Sequence, residues 1–129
     1  MVSEVEKAYV AGLVDGEAGI SICRNAGGKK GRWLQPVIDI SSNNQEVLEY
    51  VQLLYGGAIN AINDRGRHLR FWTPEKVIRI LGDIFPYLII KKEHAKVMLK
   101  FCESRLQRKH HSYTANEMAW YDALKIFNS

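Results

Sequence analysis

The 129-residue chain is poor in the features that would place it among secreted, membrane or disordered proteins. Its two cysteines, Cys23 and Cys102, lie far apart with no C-x-x-C spacing, which argues against a disulfide framework or a cysteine-built zinc site. No apolar run approaches the ~20 residues that a membrane span requires, and the first residues lack the apolar core of a signal peptide. The expectation is therefore no membrane association and no secretion, with a cytoplasmic or an organellar, nucleoid-associated location. Only three prolines occur, and no stretch is of low complexity. What is present is a globular composition, 47% hydrophobic and 10% aromatic, in a length suited to one domain spanning residues 1–129.

Charge is modest in sum and uneven in placement. Eighteen Lys and Arg against fourteen Asp and Glu leave a net +4. Arg24, Lys29, Lys30 and Arg32 lie between Ala18 and Ile38 with no acid among them. Arg65, Arg67, His68 and Arg70 are opposed only by Asp64, and a third basic stretch runs from Lys91 to Lys109. The first seventeen residues carry Glu4, Glu6, Asp15 and Glu17 against Lys7. Such segregation suits phosphate binding, because each neutralised phosphate releases counterions.

Local patterns predict the elements. Ser3 and Glu6 make a capping-box pair before "EVEKAYVAGLVDGE", which reads as a helix. "GISICRN" and "WLQPVIDIS" alternate in polarity around a Gly-rich basic turn and read as a hairpin, with Pro36 implying an edge or a bulge. "NNQEVLEYVQLLYGG" is an amphipathic helix with Asn43 or Asn44 at its start. "AINAIND" and "RHLRFW" form a second hairpin, Thr73-Pro74 opens another helix, and Pro86 ends it. A longer helix covers Lys91 to Gln107, and Thr114 with Glu117 caps the last one. The order is α-β-β-α-β-β-α followed by two further helices, an α+β class.

Within the first helix, Ala8, Gly12 and Gly16 recur every four residues and make a smooth ridge that another backbone could approach closely. Glycine inside a helix costs roughly 1 kcal/mol relative to alanine, so two of them ask for a packing reason. Tyr9, Leu13 and Val10 are expected on the opposite side, in the chain's own core. Asp15 and Glu17 stand at the helix C-terminus, where the macrodipole disfavours negative charge. A positive group such as a metal ion would compensate them; the plainer alternative is a solvated carboxylate pair.

At these residues "VAGLVDGEA" resembles the LAGLIDADG motif of homing endonucleases and related intron maturases. Ala11-Gly12-Leu13 match, Val10 and Val14 take the places of Leu and Ile, Asp15-Gly16 follow, and Glu17 holds the second acidic place. Ala18 departs from the final Gly, and Gly19 comes one residue late. The element order is also the family's. The resemblance implies the family's fold, an antiparallel sheet forming a saddle for DNA. It further implies a homodimer seamed by Ala8, Gly12 and Gly16, in which Glu17 from each chain, helped by the Gly16 carbonyl, holds Mg²⁺ or another divalent cation such as Mn²⁺. Asp15 becomes a structural carboxylate. Lys91 is the basic residue near the scissile phosphate, Lys92 the second candidate, and Ser42 the residue positioning water. The implied activity is site-specific hydrolysis of double-stranded DNA on a long near-palindromic target. Splicing of intron RNA, or DNA binding without cleavage, is the alternative on the same scaffold.

The presented hairpin faces would then read DNA through Ser21, Cys23, Asn25, Arg32, Trp33, Gln35, Asp39, Asn63, Arg65, Arg67, His68 and Arg70. Lys29 and Lys30 in the turn would touch phosphates. Arg24 has the wrong parity for the groove face, and Trp33 and Trp72 could equally pack against the sheet.

Overall fold

The computed structural model describes residues 1–25, 33–64, 66–109 and 111–129, with Asn25 described for its backbone alone. Helix α1 (Glu4–Glu17) starts at the expected capping box: Ser3 Oγ accepts the Glu6 N–H at 3.1 Å and the Glu6 carboxylate accepts the Ser3 N–H at 2.9 Å. The chain then turns directly into β1 (Ala18–Asn25), which pairs antiparallel with β2 (Trp33–Ser42). Ala18, at the place of the motif's final glycine, has φ −99° and ψ 149°, extended backbone that any residue adopts. Its side chain is buried, so the departure from glycine costs the exit nothing.

Helix α2 (Gln45–Tyr55) is capped by Asn44, whose Oδ1 accepts the Val47 N–H. It ends at Gly56 and Gly57, both with positive φ. A Cβ at Gly57 would meet the Arg70 carbonyl oxygen at 2.9 Å, so this turn requires glycine for space as well as conformation. Strands β3 (Ala58–Ala61) and β4 (Arg67–Phe71) form the second hairpin. Then come α3 (Pro74–Ile84), a 3-10 turn at Phe85–Tyr87, α4 (Lys92–Gln107) and α5 (Ala115–Phe127).

The described strands make one antiparallel sheet in the order β1-β2-β4-β3. The register between β1 and β2 is continuous from Ala18–Ile40 to Asn25–Trp33, without a bulge. Pro36 is tolerated by the other expected route, an edge position. β4 covers β2 only from Ile38 to Ser42, so β2 is central at one end and an edge at the other. On that open edge the Tyr113 hydroxyl accepts the Leu34 N–H at 2.8 Å, tying the loop before α5 to the sheet.

The described helices lie on one face of the sheet. The core between the layers holds Ile20, Ile38, Ile40, Leu69 and Phe71 from the strands, against Val10, Val14, Leu48, Ile80, Met98 and Phe101 from the helices. Tyr9 departs from expectation: it is 51% exposed, while Val10, Ala11 and Val14 are the buried face of α1. Cys102 is buried and its thiol is pushed up by burial; both cysteines are free. No helix among the described residues is long and apolar enough to cross a membrane.

Candidate nucleic-acid interface and acidic centre

The two acids ending α1 have different surroundings. Asp15 accepts three backbone N–H groups from the segment entering α4: Ile89 at 2.8 Å, Ile90 at 3.1 Å and Lys91 at 2.9 Å. Lys91 is the N-cap of α4 and makes no side-chain cap of its own; Asp15 instead holds the N-cap N–H and the two residues that lead into the helix. Burial pushes the Asp15 carboxyl up, but the donors from Lys91, Ile89 and Ile90 and the Lys91 charge outweigh it, and the group lies below the ordinary aspartate value. The unfavourable dipole at the end of α1 is thus offset by the favourable one at the start of α4.

Glu17, two residues on, is exposed and makes no hydrogen bond or ion pair among the described residues. It ends the helix beside the Gly16 carbonyl, in the last turn where carbonyls have no intrahelical donor. Because Lys91 is bound through its N–H to Asp15, the expected acid and the expected base belong to one locality. Ser42 lies at the same end of the sheet, since Ala18 pairs with Ile40 and β2 runs on two residues beyond. Its Oγ accepts the Asn44 N–H at 3.0 Å, which leaves the hydroxyl proton available. Among the described residues, no group of three His, Cys, Asp or Glu side chains could hold a metal ion.

Gly12 and Gly16 are exposed, and a Cβ at either would meet nothing within 4 Å. Packing among the described residues gives neither glycine a purpose. Exposed apolar side chains surround them in sequence or space: Val5 (80%) and Tyr9 on α1, with Ile89 (84%) and Ile90 (70%) on the segment that Asp15 holds.

Among the described residues, the other face of the sheet carries no helix. Ser21, Cys23, Gln35, Asp39, His68 and Arg70 are on it, as alternation requires. Asn25 has the same parity, and only its backbone is described. Lys29, Lys30, Arg32 and Arg65 lie outside the described residues. Trp33 and Trp72 are exposed at the rim and border an open cleft of about 330 Å³ with Arg105, Lys109 and Tyr113. Two of the sequence-derived readers are placed differently. Arg67 shares the inward parity of Leu69 and Phe71, and is exposed only because it starts its strand, opposite Ser42. Asn63 belongs to the β3–β4 turn, where its Oδ1 accepts the Gly66 N–H at 2.7 Å. Arg24, on the helix side, places its guanidinium 5.9 Å from the Tyr121 ring centroid.

Sequence reasoning read Glu117 as a capping-box residue and missed its contacts with Ser104 and Arg105, which lock the last two helices together. Glu117 is fully buried, accepting from Ser104 (2.7 Å), Arg105 (3.1 Å) and the Thr114 N–H (2.8 Å). Arg105 also stacks 4.3 Å from the Tyr113 ring centroid. His94, one turn after Lys91, packs its ring 5.2 Å from that of Phe127, and burial and the Lys91 charge push it below the ordinary histidine value.

No protein-family model matches the chain, and no curated protein matches it. Solved structures do. The homing endonuclease I-CvuI, in complex with an I-CreI target, superposes with a TM-score of 0.79 at 18% identity, covering 95% of this chain and 82% of that one. The archaeal intron-encoded homing endonuclease I-Vdi141I, complexed with DNA, gives 0.76 at 20% identity, over 95% and 84%. The LAGLIDADG meganuclease I-CpaMI, bound to uncleaved DNA, gives 0.75 at 21% identity, over 92% of this chain and 42% of its own. The helix-backed four-stranded antiparallel sheet built from α1 through α5 is therefore the LAGLIDADG homing endonuclease fold.

Proposed function

We propose that the chain is one half of a site-specific double-stranded DNA endonuclease, a homodimer that hydrolyses phosphodiester bonds with divalent metal ions. The observation that carries this reading is the contrast at the end of α1: Asp15 is committed to the start of α4, whereas Glu17 is exposed and uncommitted. One carboxylate cannot build the site, and a second copy brings the other Glu17. The exposed ridge of Ala8, Gly12 and Gly16, with open space above both glycines, supports a seam where α1 meets its counterpart. I-CpaMI, of which this fold covers 42%, holds more than twice this length in one chain.

The donors in reach, the Glu17 carboxylate and the Gly16 carbonyl, are hard oxygens and fit Mg²⁺, Mn²⁺ or Ca²⁺ rather than thiolate-preferring metals. I-CvuI structures were obtained with Mg and with Ca. A bound divalent ion supplies charge neutralisation at the phosphate and a more acidic water. Lys91, held in place through its own N–H by Asp15, stabilises the negative charge that grows on the phosphate oxygens. Ser42, whose oxygen already accepts from Asn44, turns its remaining proton toward water. The bare sheet face occupies the major groove, wide enough for a β-ribbon. Two-fold pairing of the chains makes the target near-palindromic and doubles the positive charge facing it.

The test is incubation with Mg²⁺ and a randomised duplex library, read by sequencing the cut ends. Parent protein should cut one long near-palindromic site, and Glu17→Gln should bind that site without cutting it. Absence of cleavage by the parent, with equal DNA binding by both proteins, would reduce the chain to a DNA-binding module. Preference for a structured intron RNA over every duplex would move it to the maturase class.

A further inference from the structure

Near the middle of the bare sheet face is an acid, on a surface otherwise suited to a polyanion. Asp39 and Arg70 are cross-strand partners in the β2–β4 register, and Ser41 and His68 are the next pair. Asp39 Oδ2 lies 3.2 Å from Arg70 Nε and 3.3 Å from His68 Nδ1, and the Ser41 hydroxyl donates to Oδ1 at 3.5 Å. The Arg70 contact is an ion pair without hydrogen-bond alignment, and Nε itself is closed to solvent. The Arg70 side chain is nonetheless 40% exposed. Its exposed part therefore lies away from Nε, toward a shallow open cleft of about 270 Å³ that it borders with Gln35, Asn60 and Trp72.

Two uses of Arg70 can be separated by this arrangement. A phosphate contact needs positive charge and little orientation, and Asp39 works against it by cancelling that charge and repelling the backbone. A base contact needs the reverse. The guanidinium fork must arrive oriented, and fixing a free arginine side chain costs about 2 kcal/mol of rotamer entropy. An acid 3.2 Å from Nε restrains the side chain by charge, removes part of that cost in advance and leaves the two Nη groups as parallel donors. Parallel donors match guanine, whose O6 and N7 are both acceptors on the major-groove edge.

We propose that Arg70, oriented by Asp39, reads a guanine once in each half of the target, and that Asp39 is a positioning residue rather than a reader of bases. This inference rests on the DNA-binding reading above. His68 shares the same carboxylate oxygen, so removing Asp39 releases two side chains of the reading face at once.

The experiment is selection from a randomised duplex pool with the full chain carrying Glu17→Gln to prevent cutting, followed by affinity measurements on the winners. The selected site should contain a guanine at one position in each half. Arg70→Lys, which keeps the charge and loses the fork, should lower preference for that guanine by roughly 5- to 150-fold while sparing the other positions. Asp39→Ala should bind mixed-sequence DNA at least as well as the parent, yet discriminate less at that one position. The proposal is overturned if Arg70→Lys weakens all sequences equally, or if Asp39→Ala leaves preference at that position unchanged. A pool that yields no selected sequence at all overturns the DNA-binding reading itself, an outcome distinct from the other two.

Discussion

Substituting Gly12 by alanine should change two properties in opposite directions. Gly12 lies inside α1, without the left-handed backbone of Gly56 and Gly57, and a Cβ there meets nothing within 4 Å. Within one chain the added methyl therefore brings only improved helix propensity, about 1 kcal/mol of extra stability. At a two-fold seam where backbones approach closely, the same methyl intrudes twice. Overpacking at about 1–3 kcal/mol per insertion gives roughly 2–6 kcal/mol against association, at least a 30-fold weaker dimer. Urea melts at a concentration where the chain is monomeric read the first effect, and sedimentation across a concentration series reads the second. An alanine variant that is more stable and dimerises as tightly as the parent would refute the seam. A parent that stays monomeric at micromolar concentration, with and without DNA, would do so as well.

Asp15→Asn should destabilise the protein by about 1–2 kcal/mol, because three N–H groups lose a charged acceptor. The Asp15 carboxyl is lowered in the folded state, so its contribution is whole above about pH 4 and is lost as pH falls through the folded value. Acid melts of the variant should accordingly be flatter there than those of the parent. His94 is lowered from 6.5, so protonation favours the unfolded chain, and stability is lost as pH falls below that value. His94→Phe should remove this loss from melts between about pH 6.5 and 5. Tyr113→Phe leaves the Leu34 N–H on the open edge of β2 without its acceptor and should cost about 1 kcal/mol, measured by urea denaturation.

Local chemistry was legible in the sequence wherever cause and effect lie close along the chain. The Ser3–Glu6 and Thr114–Glu117 boxes start α1 and α5 as read, and Pro74 and Pro86 bracket α3. Alternation assigned Ser21, Cys23, Gln35, Asp39, His68 and Arg70 to one face because strand period is fixed by backbone geometry. Long-range partners were not legible. Nothing in "VDGE" says that Asp15 will accept three N–H groups from the segment entering α4, the first of them 74 residues away. Pro36 left an edge and a bulge both open, because the sequence does not reveal where β4 stops covering β2; the structure has the edge. Tyr9 looked like core because helical periodicity locates a stripe without saying which of two neighbouring stripes the chain buries and which it leaves exposed. The same blindness hid the ion pairs of Asp39, whose carboxylate lies against two side chains of its own sheet, His68 and Arg70.

The central claim is that two chains each contribute one Glu17 to a shared centre, and subunit mixing tests it most directly. Parent chain and Glu17→Gln chain are mixed in varying proportion, allowed to exchange, and assayed for double-strand cleavage at fixed total protein. If each productive dimer needs both carboxylates, activity follows the square of the parent fraction, and an equal mixture keeps roughly a quarter of the activity. If one chain carries a complete site, activity falls in direct proportion, and the equal mixture keeps roughly a half. A proportional decline would contradict the account.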